Sequence, residues 1–244
     1  MIERLKKFRR GPWLWVVIGI VALPLVAVGV MLALNGVDTG VTDSDRAVIA
    51  ELGVDEDCEN TDTFGGEIDC ITAVQRRVFE LFPDTTCKFE RGETGHRAAD
   101  YAERGYGCCY DRATLIEQAL RQYGFDARRV GVYERQSNPL NYLKPGIPSH
   151  ALSEIKTDRG WLTVESLAPF LAVNSADEVF GIAELRDGLQ TGQFDDETFG
   201  ATIPSNLFDG HFVYARGVYS RHGYFFEPHL PVPEIDWGRF EVPG

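Results

Sequence analysis

The chain has 244 residues, with 37 Asp or Glu and 24 Lys or Arg, so its formal net charge is −13 at pH 7. Residues 1–12 contain five bases and one acid, which leaves 19 bases and 36 acids, a balance of −17, for the remainder. A surface of this sign repels nucleic acid and anionic lipid headgroups, which argues against a nucleic-acid-binding protein.

An uncharged stretch near the N-terminus predicts a membrane anchor. Residues 13–34 carry no charged side chain, and 22 residues are enough for a helix to cross a bilayer. The bases of residues 1–12 place the N-terminus in the cytoplasm and the rest in the periplasm or outside the cell, as for a single-pass protein of the inner or plasma membrane. A cleaved signal peptide is the alternative, but its small-x-small site at 27–29 would lie inside the apolar run.

Helical patterns follow the anchor. The residues beyond 34 suit one elaborated domain, and we predict a polar juxtamembrane segment at 35–67 and a globular domain at 68–244. Short and amphipathic helices are predicted at 45–52 and 69–82, and a third helix at 109–123 before Gly124. The pattern also allows a helix at 175–189.

Between the last two helices the period changes to that of strands. Strands are predicted at 127–134, 149–156 and 161–166, with a tight turn at 157–160 joining the last two. The aromatic residues between 208 and 226 are typical of sheet and core. Together these patterns predict an α+β fold.

Five cysteines fit an extracytoplasmic location, where thiols tend to pair and an odd count leaves one over. The pairing that we favour joins Cys58 with Cys70 and Cys87 with Cys108, which spares Cys109. No C-x-x-C pair occurs, so the sequence does not support a zinc ribbon. We predict no metal and no cofactor.

The residues Cys109, His150 and Glu165 form the candidate catalytic set. Cys109 would lie on the first turn of a helix, where the helix dipole favours a thiolate. If Lys156 pairs with Trp161 in the predicted hairpin, His150 and Glu165 fall on one face as diagonal neighbours, roughly 7–8 Å apart at the backbone. A glutamate could then orient the imidazole of a Cys-His-Glu triad.

Four segments in this order resemble the transglutaminase-like superfamily, which has a papain-type fold. The family's G-x-C-x-D/E-x-A motif corresponds to residues 107–113 and selects Cys109 over Cys108 as the nucleophile. Its G-h-x-A-R-x-V segment corresponds to residues 124–130. The H-A-W-x-E-V and G-W-x-x-V-D segments correspond to residues 150–155 and 160–165, with Leu152 replacing tryptophan and Glu165 replacing aspartate.

The resemblance implies a transglutaminase-like core in which a thiol attacks an amide or peptide bond of a protein or peptide substrate. Water as the acceptor gives a protease or amidase, which we favour slightly, and an amine gives a crosslinking enzyme. The alternative is a non-catalytic domain that binds a protein partner in the cell envelope. A redox role for adjacent Cys108 and Cys109 is disfavoured because vicinal cysteines bridge with strained geometry.

Overall fold

The computed structural model describes residues 12–34, 36–37, 40–85, 97–138, 141–142, 147–219 and 234–242. Helices in this part alternate with a small antiparallel sheet, which confirms the predicted α+β class. The helices are α1 (Pro12–Leu34), α2 (Asp43–Ala50), α3 (Phe64–Leu81), α4 (Ala98–Arg104), α5 (Cys109–Gln122), α6 (Ile182–Thr191) and α7 (Asp196–Phe199).

Helix α1 coincides with the uncharged stretch of the sequence. Its backbone is helical over 23 residues, whereas its side chains are described only at 15–30 and at 33. Large apolar side chains of α1 are exposed, among them Trp15, Leu23 and Leu25 at 70, 74 and 67%. Nevertheless, nowhere in the described chain does a helix have the combined length and apolar character that crossing a membrane requires. The anchor at 13–34 therefore remains a prediction.

Helix α3 begins five residues earlier than predicted, at Phe64 rather than Asp69. The hydroxyl of Thr63 accepts a hydrogen bond from the Gly66 N–H at 3.2 Å and so caps the helix there. The predicted apolar face at Ile71, Val74 and Val78 is buried, but Leu81, predicted on the same face, is 40% exposed at the helix end.

One of the two favoured disulfides is present. Cys58 and Cys70 are bonded, which ties the loop before α3 to that helix. Cys87 lies outside the described residues, and Cys108 carries a thiol, which does not agree with the second predicted pairing.

Four antiparallel strands form the sheet, in the order β3-β2-β1-β4. Residues Lys156 and Trp161 are paired, as are Thr157 and Gly160, which confirms the predicted hairpin register. Hydrogen-bonded pairing stops at Ser153 and Val164, so His150 and Glu165 lie just beyond this ladder. The strands are β1 (Ala127–Glu134), β2 (Ser149–Thr157), β3 (Gly160–Val164) and β4 (Phe212–Arg216).

The C-terminal helix starts later than the sequence pattern indicated. The segment from 175 does not continue into a helix, because Val179 forms a bridge with Val173, and α6 begins only at Ile182 after Gly181. The predicted aromatic sheet region is present in β4, where Phe212 and Tyr214 are buried.

The two ends of the described chain meet beside the sheet. Strands β5 (Val218–Tyr219) and β6 (Glu234–Ile235) pair with each other. Gly36, just after α1, forms a parallel bridge with Ile235, and the Val37 N–H donates to the Ile235 carbonyl at 3.3 Å. The segment that follows the predicted anchor is thus joined to the C-terminal region.

Candidate active site

Cys109 is the first residue of α5, as predicted. It follows Cys108, whose extended backbone (φ −108°, ψ −162°) forms the N-terminal boundary of the helix. The side chain is enclosed, since Cys109 is only 2% exposed. The partial positive charge of a helix N-terminus favours an anion at this position, which is the electrostatic condition for a thiolate.

The helix start is stabilised by Asp111 in a way that limits the effect of its negative charge. The Asp111 carboxylate accepts a hydrogen bond from the Cys108 N–H at 3.0 Å. Its other oxygen pairs with the Arg104 guanidinium at 2.6 Å, in a largely buried contact. Arg104 therefore offsets a charge that would oppose a thiolate at Cys109, a partner that the sequence did not reveal.

Close packing accounts for the glycine of the nucleophile motif. A Cβ atom at Gly107 would lie 2.1 Å from the Tyr101 ring and 2.6 Å from the Asp111 Cβ. Tyr101 is 1% exposed, and its ring lies 4.6 Å from that of Phe82, so it has little room to move. Glycine at this position lets the chain turn tightly into α5.

His150 and Glu165 are in direct contact. His150 is the second residue of β2, and Glu165 directly follows β3. The imidazole Nε2 lies 2.5 Å from the Glu165 Oε1 atom, and the two residues are 4% and 1% exposed. Glu165 Oε1 also accepts the N–H groups of Ser166 at 2.9 Å and Leu167 at 3.0 Å. The longer arm of glutamate is thus accommodated, because its carboxylate folds back onto these two amides.

The Glu165 carboxyl is held in its ionised form. Burial alone would raise its pKa, but the His150 charge, the hydrogen bond to His150 and the two amide N–H groups together lower the pKa below its ordinary value. The acid therefore remains a carboxylate at neutral pH and can stabilise an imidazolium. Because Nε2 faces Glu165, Nδ1 is the ring nitrogen left to exchange a proton with a thiol.

Cys109 and His150 line the same small cleft. The structure therefore brings all three predicted site residues into one region, with Glu165 behind His150. Two apolar residues, Val37 and Leu167, pack against the cluster that contains Cys109. The other residues that line the cleft are Tyr110, Gly131, Tyr133, Ser149, Ala151 and Val218.

Gln75 on α3 holds the loop that carries Glu165. Its side-chain amide donates to the carbonyl oxygens of Glu165 at 2.8 Å, Phe170 at 3.1 Å and Ala168 at 3.3 Å. The Gln75 side chain is 3% exposed, so it belongs to the interior rather than to a binding surface. Because Gln75 and Glu165 are 90 positions apart, no periodic pattern in the sequence indicates their contact.

A buried ion network lies beside the nucleophile helix. The Arg129 guanidinium contacts the rings of both Tyr110 and Tyr219, 4.7 and 4.9 Å from their centroids. Its Nε is 3.5 Å from the Glu117 carboxylate, which also accepts the Tyr219 hydroxyl at 3.1 Å. The network packs Tyr219 against the Cys109 cluster. An arginine inside an apolar strand pattern was the one sequence signal for it.

The described residues contain no group of three or more His, Cys, Asp or Glu side chains placed to hold a metal ion.

Comparison with known proteins found a family model that matches part of the chain. The family model of the transglutaminase-like superfamily matches residues 66–166, from the first turn of α3 to just beyond Glu165. A solved structure from Cytophaga hutchinsonii, a "Putative Cysteine Protease", is 18% identical, with a TM-score of 0.37; the alignment covers 57% of this chain and 42% of that one. The chain thus spans less than half of that protein's length. No curated protein matches the chain.

The matched segment contains Cys109, His150 and Glu165, together with the four motifs that first suggested the resemblance. Residues 66–166 of this chain are therefore similar to the transglutaminase-like superfamily.

Proposed function

We propose that this chain is a thiol acyl-transfer enzyme that acts on amide or peptide bonds through Cys109, His150 and Glu165. The observation that carries the proposal is the 2.5 Å contact between His150 Nε2 and Glu165 Oε1, in a cleft that also holds Cys109. An imidazole oriented by a buried carboxylate, next to a thiol at a helix N-terminus, is the arrangement that activates a cysteine nucleophile.

The reaction divides into two acyl transfers. His150 Nδ1 takes the Cys109 proton, the thiolate forms a C–S bond to the substrate carbonyl carbon, and the π electrons of the carbonyl move to its oxygen. Collapse of this adduct restores the carbonyl and breaks the C–N bond, while His150 gives its proton to the leaving amine. Water or an amine then attacks the thioester, and the thiol is regenerated. Hydrolysis is the outcome that we propose.

Selective labelling of Cys109 tests the nucleophile. We expect iodoacetamide at pH 7 to modify Cys109 much faster than Cys108, because only Cys109 shares a cleft with His150. Replacing His150 with alanine should reduce the rate of Cys109 alkylation by about 10²-fold, since the base is lost. Peptide mass mapping locates the modified residue.

The matched control is His211→Ala, which removes a histidine that does not line the cleft. Equal labelling of Cys108 and Cys109, or the same Cys109 alkylation rate in the His150 variant, would favour the non-catalytic binding domain instead. The mass of the product released from a trapped acyl-enzyme distinguishes transfer to water from transfer to an added amine.

We also propose that α1 anchors the chain in the inner or plasma membrane, with the catalytic domain in the periplasm or outside the cell. The support is the uncharged stretch at 13–34 and the bases that precede it. We expect the chain to remain in the membrane fraction after alkaline extraction, and the double variant Leu23→Arg with Leu25→Arg to be released. Arginine at the centre of a span costs about 2.5–3.5 kcal/mol.

Trp237→Arg is the control for the anchor, because Trp237 is also exposed, at 50%, but lies in the C-terminal region. Release of the unmodified chain by alkali, or retention of the double arginine variant, would contradict the anchor.

A further inference from the structure

A buried hydroxyl in the cleft is left without a hydrogen-bond partner. The Ser149 Oγ atom is shielded from solvent, and no atom of the described residues accepts or donates a hydrogen bond to it. Two other buried serines near the site are satisfied: Ser153 Oγ donates to the Ala113 carbonyl at 3.2 Å and Ser166 Oγ to the Ala151 carbonyl at 2.6 Å. A buried polar atom without a partner is costly, so its retention beside a nucleophile calls for an explanation.

The position of Ser149 is suited to contact a substrate. Ser149 lines the same cleft as Cys109 and precedes His150 on β2. Side chains alternate along a strand, so Ser149 shares a face with Ala151 and Ser153. That face packs on α5, since Ser153 bonds to Ala113 and Ala151 belongs to the cluster that contains Cys109. The hydroxyl and the nucleophile helix thus lie on one side of the sheet, and His150, on the alternate face, lines the same cleft because both residues stand at the start of β2.

Gly131, the neighbour of Ala151 across the ladder, lines the same cleft without a side chain. A Cβ atom there would lie 2.9 Å from the Tyr133 hydroxyl, so even a methyl group would crowd the cleft. Glycine at this position thus leaves room for the Tyr133 ring, which also lines the cleft.

We propose that Ser149 Oγ–H is a catalytic donor that stabilises the oxyanion formed when Cys109 attacks a carbonyl, acting together with the backbone N–H of Cys109. As the C–S bond forms, the carbonyl π electrons become a lone pair on oxygen, and the Ser149 hydroxyl donates a hydrogen bond to that oxygen. When the adduct collapses, the C=O bond is restored and the bond to the leaving group breaks. The inference rests on the proposed function.

Two reagents separate this role from nucleophile activation. p-Nitrophenyl acetate acetylates a thiol through a tetrahedral oxyanion and releases p-nitrophenolate, whereas iodoacetamide alkylates the same thiol by direct displacement at carbon, with no oxyanion. Replacing Ser149 with alanine should lower the rate of Cys109 acetylation by about 10²-fold, as for loss of one oxyanion donor. The alkylation rate should change by less than about twofold, because the donor acts only on the oxyanion.

The matched control is Ser153→Ala, a serine on the same strand and the same face. Its hydroxyl has a partner, so its loss should lower the midpoint of thermal unfolding and leave the ratio of acetylation to alkylation rates unchanged. Ser149→Ala should leave the midpoint unchanged or raise it, because no bond is lost. Ser149→Thr keeps a hydroxyl and should recover most of the acetylation rate.

The inference is overturned if Ser149→Ala leaves the acetylation rate intact, if both rates fall together, or if threonine does no better than alanine. These results differ from a failure of the proposed function, in which His150→Ala would not slow the alkylation of Cys109 in an otherwise unaltered chain.

Discussion

Replacing Glu165 with alanine should lower the rate of Cys109 acetylation by p-nitrophenyl acetate about 10³-fold at pH 7. The variant removes the carboxylate that contacts His150 Nε2, so both the orientation of the ring and the stabilisation of the imidazolium are lost. Release of p-nitrophenolate measures the rate. Glu197→Ala, at an exposed position, is the control and should behave as the unmodified chain.

Glutamine at 165 should separate orientation from charge. The amides of Ser166 and Leu167 donate to Glu165 Oε1, so they select the carbonyl oxygen of a glutamine for that position. His150 Nε2 then keeps a neutral acceptor but loses a charged one, a difference of about 1.4 kcal/mol, or about tenfold in rate. Equal rates for the alanine and glutamine variants would contradict an orienting role.

The contact between Glu165 and His150 also makes the stability of the protein depend on pH under acid conditions. Because the pKa of this carboxyl is lowered in the folded protein, the stability that it contributes is present above its ordinary pKa of 4.5 and is lost as the pH falls through the lowered value. Between pH 5 and 8 the carboxylate stays ionised, so changes of activity in that range do not arise from Glu165.

Replacing Glu154 with leucine should destabilise the protein by about 3–5 kcal/mol, the cost of breaking a buried ion pair from one side. Glu154 is fully buried on β2 and pairs with Arg216 at 2.6 Å and with Arg128 at 2.8 Å. It also accepts the Ile182 N–H at 2.8 Å, at the start of α6. Leucine at this position removes the carboxylate that accepts these hydrogen bonds. The urea concentration at the midpoint of unfolding measures the resulting loss of stability.

Glu154→Gln provides the matched comparison and should cost less, because an amide oxygen can still accept one donor. Burial would raise the pKa of the Glu154 carboxyl, but the hydrogen bond to Arg216 and the charges of Arg128 and Arg216 lower it. The unmodified protein should therefore lose stability as the pH falls below about 4.5, and this acid sensitivity should be weaker in Glu154→Leu. A leucine variant as stable as the unmodified chain would contradict the assigned pairing.

Local patterns predicted what depends on neighbours in the sequence. The tight turn at 157–160 sets the register of the hairpin, and the register places His150 and Glu165 within reach of each other. The motif around Cys109 placed the nucleophile at the start of a helix for the same reason. Each of these features is decided by residues a few positions apart.

Contacts between distant segments were not predictable in this way. Helix α5 was predicted as a helix, but its burial was not: every residue from 109 to 120 is buried, including Asp111, Arg112 and Glu117. Charged residues in such a helix look solvent-exposed in sequence, because their partners lie elsewhere in the chain. Arg129 reaches Glu117 from β1, and Gln75 reaches the Glu165 loop from α3.

The contact of residues 36 and 37 with Ile235, next to the cluster that contains Cys109, limits how the protein can be shortened. A fragment cut at 66 and 166 would omit β4, which borders β1, and would strip Val37 and Tyr219 from the cluster around the thiol. It would expose the edge of β1 and open one wall of the cleft, since Val218 would be missing too. We expect residues 66–166 expressed alone to aggregate. A soluble fragment should therefore begin before residue 36 and end after residue 235.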